Sequence, residues 1–302
     1  SKCKRVCFGH NRLTIIDLSN KGKQPFVSVD ENYVITFNGE IYNFKEIKKE
    51  LSAKNITFKS NSDTEVILEA YKFWGLNFIK KLRGMFAFAI WDSIKKKLIL
   101  ARDPFGIKPL YYTKKNGVCY FASQVKSLLS IDAISSNYSN AGIASYYLWG
   151  NLQEPFTLYE DIKSLKMGTC LILDENGNEK NINYADIKNT ILDAEPLKLK
   201  NHFEKEEYLF NILRETIEYH QVSDVPISLL LSAGVDSNSI LALMTEEDKK
   251  NCTALTVDFK FKDSDNEIPI AKKSAALNNI SHLVEQINDE GLDKLLNLFF
   301  KK

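Results

Sequence analysis

The run ISLLLSAGVDSNSILAL, Ile227 to Leu243, restricts the architecture more than any other part of the chain. An aliphatic stretch of strand length, apolar on both faces, breaks at Ser232-Ala233-Gly234 into small residues and then takes up a helical pattern. After it, CTALTVDF reads as a strand, EIPIAKKSAALNN as a helix and SHLVEQI as a strand. Alternation of this kind builds a doubly wound parallel sheet, an α/β fold. Ligands of such sheets sit beyond the carboxyl ends of the strands, so the small residues after Leu231 stand at the expected crevice.

Those residue types suit an anion. Small residues let backbone N–H groups approach closely, the next helix points its positive end at the ligand, and Ser232 and Ser237 add hydroxyl donors. There is no Gly-Lys-Ser/Thr and no dinucleotide glycine spacing, so the loop is neither a Walker loop nor a Rossmann fingerprint. Asp236 would repel phosphate oxygens unless a hard cation such as Mg²⁺ lay between them. A tight strand-to-helix turn with Asp236 or Ser237 as N-cap accounts for the same residues.

The preceding residues read differently. Up to Tyr184, short β-branched and aromatic runs (YVITFNG, GMFAFAIWD, KKLILARD, KPLYYTKKNGVCYFAS, TCLILDENGNE) are broken by Gly, Asn and Asp turns. Two helices interrupt them. NFKEIKKELSAKN has Phe44, Ile47 and Leu51 at helical spacing, and DTEVILEAYKFWG has Val66, Ile67, Ala70, Tyr71 and Trp74 on one face. The expected fold is α+β for residues 1–184, a linker over 185–200, and α/β for 201–302, which opens with a helix carrying Tyr208, Leu209, Ile212, Leu213 and Ile217 on one side.

At 302 residues and 44% hydrophobic content, two cores are affordable. Forty Lys+Arg against 39 Asp+Glu, a net charge of +1, leave no basic footprint for nucleic acid. No apolar run is long enough for a bilayer and no signal-peptide pattern opens the chain, so a soluble cytoplasmic protein is expected. Five cysteines without paired spacing suggest neither disulfides nor zinc; Cys119, Cys170 and Cys252 are expected as buried hydrophobes.

The Ser232–Ser237 stretch resembles the S-G-G-x-D-S pyrophosphate loop of ATP-pyrophosphatase enzymes, with Ala233 in place of the second glycine and Asn238 where a serine is usual. GHNRLTIIDLSNKGKQPF, FNGEIYNF, SNSDTEVILEAY, LRGMFAFAIWD, ARDPFGIKPLYY and FASQVKSLL resemble the glutaminase half of glutamine-hydrolysing asparagine synthase, in the family's order. The resemblance covers most of the chain. It departs from the family at Gln124, where glutamate is usual.

The resemblance implies an N-terminal-nucleophile αββα sandwich followed by a Rossmann-like nucleotide domain. In it Arg12 grips the glutamine α-carboxylate, Asp63 holds the ammonium, and Asn38 with the Gly39 N–H forms the oxyanion hole. Leu13, Ile16 and Glu40 complete the glutamine pocket. Leu231, Ser232, Ala233, Gly234, Asp236, Ser237 and Val257 contact ATP, with Asp236 on Mg²⁺. Other readings of these residues are a strand end for Arg12, a helix N-cap for Asp63, a hairpin turn for Asn38-Gly39 and core aliphatics for Leu231 and Val257. The Phe, Ile and Tyr residues of Gly84–Asp92 and Asp103–Tyr112 are expected in the core, and Lys95–Lys97 at a solvated hairpin tip.

The activity implied is asparagine synthesis from aspartate, ATP and glutamine through β-aspartyl-AMP, by a homodimer. The family's nucleophile is an N-terminal cysteine well ahead of the HNRL stretch. Ser1 stands too near for that, and neither Cys3 nor Cys7 is assigned the part. The expectation is a chain without its beginning and without the later Ser/Gly/Glu loop, itself unable to hydrolyse glutamine. An amidotransferase of the same architecture acting on another carboxylate, such as a uronic acid, and a non-catalytic glutamine- or nucleotide-binding paralogue are the alternatives.

Overall fold

Antiparallel strands carry the first part of the chain and parallel strands the second. The computed structural model describes residues 6–199, 201–259, 267–287 and 291, 292 and 294, which form two units, Ser1–Pro196 and Leu197–Lys302. Cys3 lies outside the described residues.

The first unit runs β1 (Phe26–Val27), β2 (Tyr33–Ile41), α1 (Phe44–Ser52), α2 (Asp63–Trp74), β3 (Gly84–Asp92), β4 (Lys97–Arg102), β5 (Tyr111–Lys115) and β6 (Val118–Ala122). It continues with α3 (Val125–Leu129), α4 (Asn140–Trp149), β7 (Lys163–Ser164), β8 (Thr169–Asp174), β9 (Glu179–Asn183) and α5 (Ile187–Leu192). One sheet has the order β1-β2-β3-β4-β8-β9 and a smaller one the order β6-β5-β7; every pairing is antiparallel.

Side-chain alternation assigns the layers. On β3, Phe86, Phe88 and Ile90 are buried on one face, where Phe88 meets Phe78 and Phe78 meets Tyr71 of α2. The helices bring Ile47, Leu51, Val66 and Ile67 to the same core, each fully buried apolar side chain stabilising by about 1.5–3 kcal/mol. Ala87 and Ala89 face the other way, into a core shared with Leu110, Tyr112, Cys119 and Phe121 from β5, β6 and the approach to them. The outer face of the small sheet, through Tyr111, Tyr120 and Ala122, packs on Leu128 and Val125 of α3. The layers are helix, sheet, sheet, helix.

Two local expectations change. Phe105 and Ile107 are exposed rather than in the core. The buried members of that stretch are Arg102 and Asp103, because the loop is organised by polar bonds. Asp103 accepts from the N–H groups of Phe86, Phe105, Ile107 and Lys108 at 3.0–3.2 Å. Arg102 donates to the carbonyls of Gly106, Lys108 and Leu165 at 2.7–2.8 Å and pairs with Glu154. Second, residues expected as a featureless linker include the short exposed helix α5, capped by Asp186. Elsewhere, Lys95 and Lys96 stand exposed at the β3–β4 turn, and the Asn116-Gly117 turn joins β5 to β6 with both residues at positive φ.

The second unit comprises α6 (His202–His220), β10 (Ile227–Leu230), α7 (Val235–Leu243), α8 (Glu246–Asn251), β11 (Cys252–Phe259), α9 (Ile268–Leu277) and β12 (Ser281–Ile287). The strands are parallel in the order β10-β11-β12. Leu231, Leu241, Ala254, Ala271 and Ala275 share one core, so α7 and α9 cover the same face. Helix α7 ends at Leu243, and Thr245 opens α8 with a capping box to Asp248. Of the apolar stripe expected on α6, Ile217 packs on this core, while Tyr208, Leu209, Ile212 and Leu213 are exposed.

Candidate functional site

Small residues open the site. Where β2 and β3 run side by side, Thr36 and Asn38 stand opposite Ala89 and Ala87, on the face turned to the small sheet. The alanines leave space there, and a cavity of about 770 Å³ results, whose lining includes Arg12, Leu13, Ile16, Asn38, Gly39, Glu40 and Asp63. Every residue expected at a glutamine pocket is thus at one cavity.

The edge of β2 supplies its most specific feature. The partner strand β1 ends its pairing at Ile35, so the N–H groups of residues 37, 39 and 41 leave the sheet on an open edge. Phe37 N–H donates to Gln24 Oε1 at 2.7 Å and Ile41 N–H to Asp63 Oδ2 at 3.2 Å. The two-residue repeat places the Gly39 N–H between them. Gly39 has φ +153°, and a Cβ there would lie 2.1 Å from the Met85 carbonyl oxygen, so only glycine fits. Asn38-Gly39 therefore sits inside a strand, not at a hairpin turn.

Asn38 Nδ2 donates to Ser123 Oγ at 3.2 Å. Arg12 Nη2 donates to the carbonyls of Ile16 at 2.7 Å and Asp17 at 2.9 Å and Nη1 to that of Ser19 at 3.5 Å, which anchors the guanidinium and leaves Nε–H and one N–H of Nη1. It lies over Gly22, where a Cβ would come within 2.7 Å of Nη2. Asp17 Oδ2 in turn accepts from Asn61 N–H at 2.8 Å, tying the Arg12 loop to the turn that precedes Asp63.

The cap of α2 is Ser62, whose hydroxyl accepts from Thr64 N–H, and not Asp63. This frees the Asp63 carboxylate to face β2. Burial pushes its pKa up to about 6, against the lowering effect of the Ile41 N–H; the nearby Glu40 raises it further. A buried carboxylate of this kind favours a cationic ligand group.

Sequence reasoning did not assign other lining residues: His10, Gln24, Lys108, Ser123 and Gln124. His10 bonds Thr36 Oγ1 through Nδ1 at 3.2 Å, and its pKa is lowered by burial and then by Arg12. All five lie within the stretches that resemble the glutaminase half, which was their sole signal. None of the described residues lining the cavity is a cysteine. Cys7 is exposed, while burial pushes the Cys119 thiol up to about 11 and that of Cys170 up to about 12.

The loop after β10 is exposed at Gly234, Val235 and Asp236. Its amides already have partners: Ser232 N–H donates to Ser237 Oγ at 3.2 Å, Gly234 N–H to Ser232 Oγ at 3.0 Å, and Ala233 N–H to Glu267 Oε2 at 3.3 Å. Asn238 Nδ2 donates to the carbonyls of Ser232 and Gly234. The N-cap is Gly234, without a side-chain bond, so neither Asp236 nor Ser237 is the cap. Leu231 is buried in the unit's core, and Val257 is partly exposed on β11. The Asp236 carboxylate has no hydrogen bond or ion pair among the described residues.

Residues 2–185 match the family described as glutamine amidotransferase domain, and residues 209–299 the family described as asparagine synthase. Asparagine synthetase [glutamine-hydrolyzing] 1 of Bacillus subtilis is 36% identical over 287 residues, 95% of this chain and 44% of that protein. Amidase chry2 of Gibberella zeae is 31% identical, over 95% of this chain and 44% of its own length. The chain thus spans less than half the length of these relatives. Among solved structures it is similar to a glutamine phosphoribosylpyrophosphate amidotransferase from B. subtilis complexed with ADP and GMP, with 18% identity, 88% of this chain and 49% of that one covered, and a TM-score of 0.39.

Proposed function

Because the chain belongs to the family that joins a glutamine amidotransferase domain to an asparagine synthase domain, we propose that its first unit binds glutamine as nitrogen donor for an amide-forming ligase reaction. The observation carrying this is the open edge of β2, with the Gly39 N–H set between two side-chain-bonded neighbours and beside the Asn38 carboxamide. An N–H and a side-chain amide at one point suit a carbonyl oxygen that gains negative charge, a role in which one donor lowers a barrier by roughly 3 kcal/mol. Arg12 takes the α-carboxylate through its remaining donors, Asp63 the α-ammonium, and Leu13, Ile16 and Glu40 complete the pocket.

In the second unit the reading is that Leu231, Ser232, Ala233, Gly234, Asp236, Ser237 and Val257 receive ATP, and that aspartate is activated as β-aspartyl-AMP before the ammonia displaces AMP. Asp236 fits a Mg²⁺ site: an exposed carboxylate without a protein cation, beside a loop turned to solvent, is what this ion uses when substrate phosphates and water complete its shell. No group of three metal-capable side chains occurs among the described residues, so the ligand's oxygens would be needed. When bound, the ion would neutralise phosphate charge. The amides of Ser232, Ala233 and Gly234 exchange their present partners for phosphate oxygens.

Domain limits of 1–184 and 201–302 about a linker at 185–200, a cytoplasmic setting and a homodimer belong to the same proposal. The free thiols of Cys7, Cys119, Cys170 and Cys252 support the setting. The similarity to an amidase favours a second reading in which the amide acceptor is a carboxylate other than aspartate.

Calorimetric titration with glutamine tests the first unit. The expected outcome for this 302-residue chain is saturable binding without ammonia release, since no cysteine lines the described cavity. Absence of binding would remove the reading. For the second unit, Asp236→Ala is expected to weaken Mg²⁺-dependent ATP binding by about tenfold or more, with ATP binding in EDTA unchanged. Equal affinities of parent and variant in magnesium would make the loop a turn and nothing else.

A further inference from the structure

Ser123 has no role in the reading above, yet its hydroxyl makes one specific bond. It follows β6, in the small sheet, and accepts from Asn38 Nδ2 across the cavity, 85 residues away in sequence. Among the described residues this is the sole hydrogen bond of either side chain. Ser123 does not cap the helix that follows: the N-cap of α3 is Gln124, and Ser127 N–H bonds the Gln124 backbone carbonyl. Both residues are half-buried and line the same cavity.

A primary amide can present either its oxygen or its nitrogen to a ligand, and rotation about its last torsion costs little. Turned the wrong way, Asn38 would meet a substrate carbonyl oxygen with its own oxygen. The Ser123 hydroxyl, as acceptor of one Nδ2–H, ties the carboxamide in place at the cavity and leaves the second N–H unspent; a substrate carbonyl oxygen that takes that N–H selects the same orientation. The unspent N–H belongs to the residue next to Gly39, which lines the same cavity and whose own N–H lies on the open edge of β2.

We propose that Ser123 is a positioning residue: it holds the Asn38 carboxamide so that the cavity selects a side-chain amide. The proposal rests on the reading of the cavity as a glutamine site. Recognition by two placed donors discriminates against an analogue that lacks the acceptor, because the donors are then left unpaired.

The test is calorimetric titration of the 302-residue chain with L-glutamine and with L-norvaline, which keeps the α-carboxylate and α-ammonium but has no amide. In the parent, glutamine binds more tightly than norvaline. Ser123→Ala is expected to lose about three- to tenfold in glutamine affinity, the scale of one hydrogen bond, with norvaline unchanged. Ser123→Thr, which retains a hydroxyl, is expected to keep the preference. Unchanged glutamine affinity in Ser123→Ala overturns the positioning role and leaves the site reading intact. Equal loss for both ligands, or failure of threonine to keep the preference, makes the serine a packing residue and also overturns it. A parent that does not prefer glutamine removes the reading of the cavity along with the proposal.

Discussion

Asp63 is the residue whose ionisation governs the first unit. Burial raises its pKa from an ordinary 3.8 to about 6, so the folded protein takes up a proton at higher pH than the unfolded chain. The cost of keeping this carboxylate ionised is therefore present above about 6, and stability rises as the pH falls toward the ordinary value, opposite in sign to a salt-bridged aspartate. Ligand binding has the reverse dependence, because an ammonium group favours the ionised form. Glutamine affinity is expected to be flat above the titration and to fall by about tenfold per pH unit well below it. Titrations across that range check this, and Asp63→Asn is expected to bind weakly at every pH. At the same scale, the resemblance of FNGEIYNF to the family pointed to Asn38, Gly39 and Glu40, and the three line one cavity. The stretch contained nothing to separate a hairpin from a strand interior, because Asn-Gly suits both; pairing with β3 across residues 84–92 settled the matter.

Among the elements, the loop between β4 and β5 shows how polar burial can do what hydrophobic packing was expected to do. Asp103 is fully buried and holds four N–H groups, and Arg102 holds the loop's carbonyls. Phe105 and Ile107 can then stand in solvent without loosening the chain that carries Lys108 to the cavity. Asp103→Asn leaves at least one acceptor too few in a dry site. It is expected to lower stability by about 3 kcal/mol or more, against about 0.5 or less for Asp236→Ala at the exposed loop. Urea denaturation of the two variants compares them directly. Helix α1 was legible from its apolar spacing, since Phe44, Ile47 and Leu51 form its one buried face; α2 is buried all round from Asp63 to Tyr71, so spacing found the helix but not the extent of its burial. The apolar stripe of α6 was equally legible, yet most of it is exposed, because periodicity names a face and not its partner.

For the whole molecule, the two units each have a core of their own, and Asp193–Lys198 between α5 and α6 is polar or exposed throughout. Limited proteolysis is expected to cut first in this stretch, giving a larger product that still binds glutamine. A first cut within β2–β4, or loss of binding on cleavage at the junction, would speak against independent units. The change of pattern near residue 200 was readable because turn-separated strands give way to regular alternation of helices and strands, in which the local period switches between 3.6 and 2.

The sequence alone determined the order of strands and helices, the split into two kinds of sheet, and the residue types of both candidate sites, because these depend on neighbours a few positions apart. Tertiary structure decided which donors remain open. Gln24 and Asp63 occupy the N–H groups on either side of Gly39, Ser123 holds Asn38, and Glu267 holds the Ala233 amide, from 13 to 85 residues away. Partners so distant meet only when whole layers pack, and no local pattern encodes which of them will face each other.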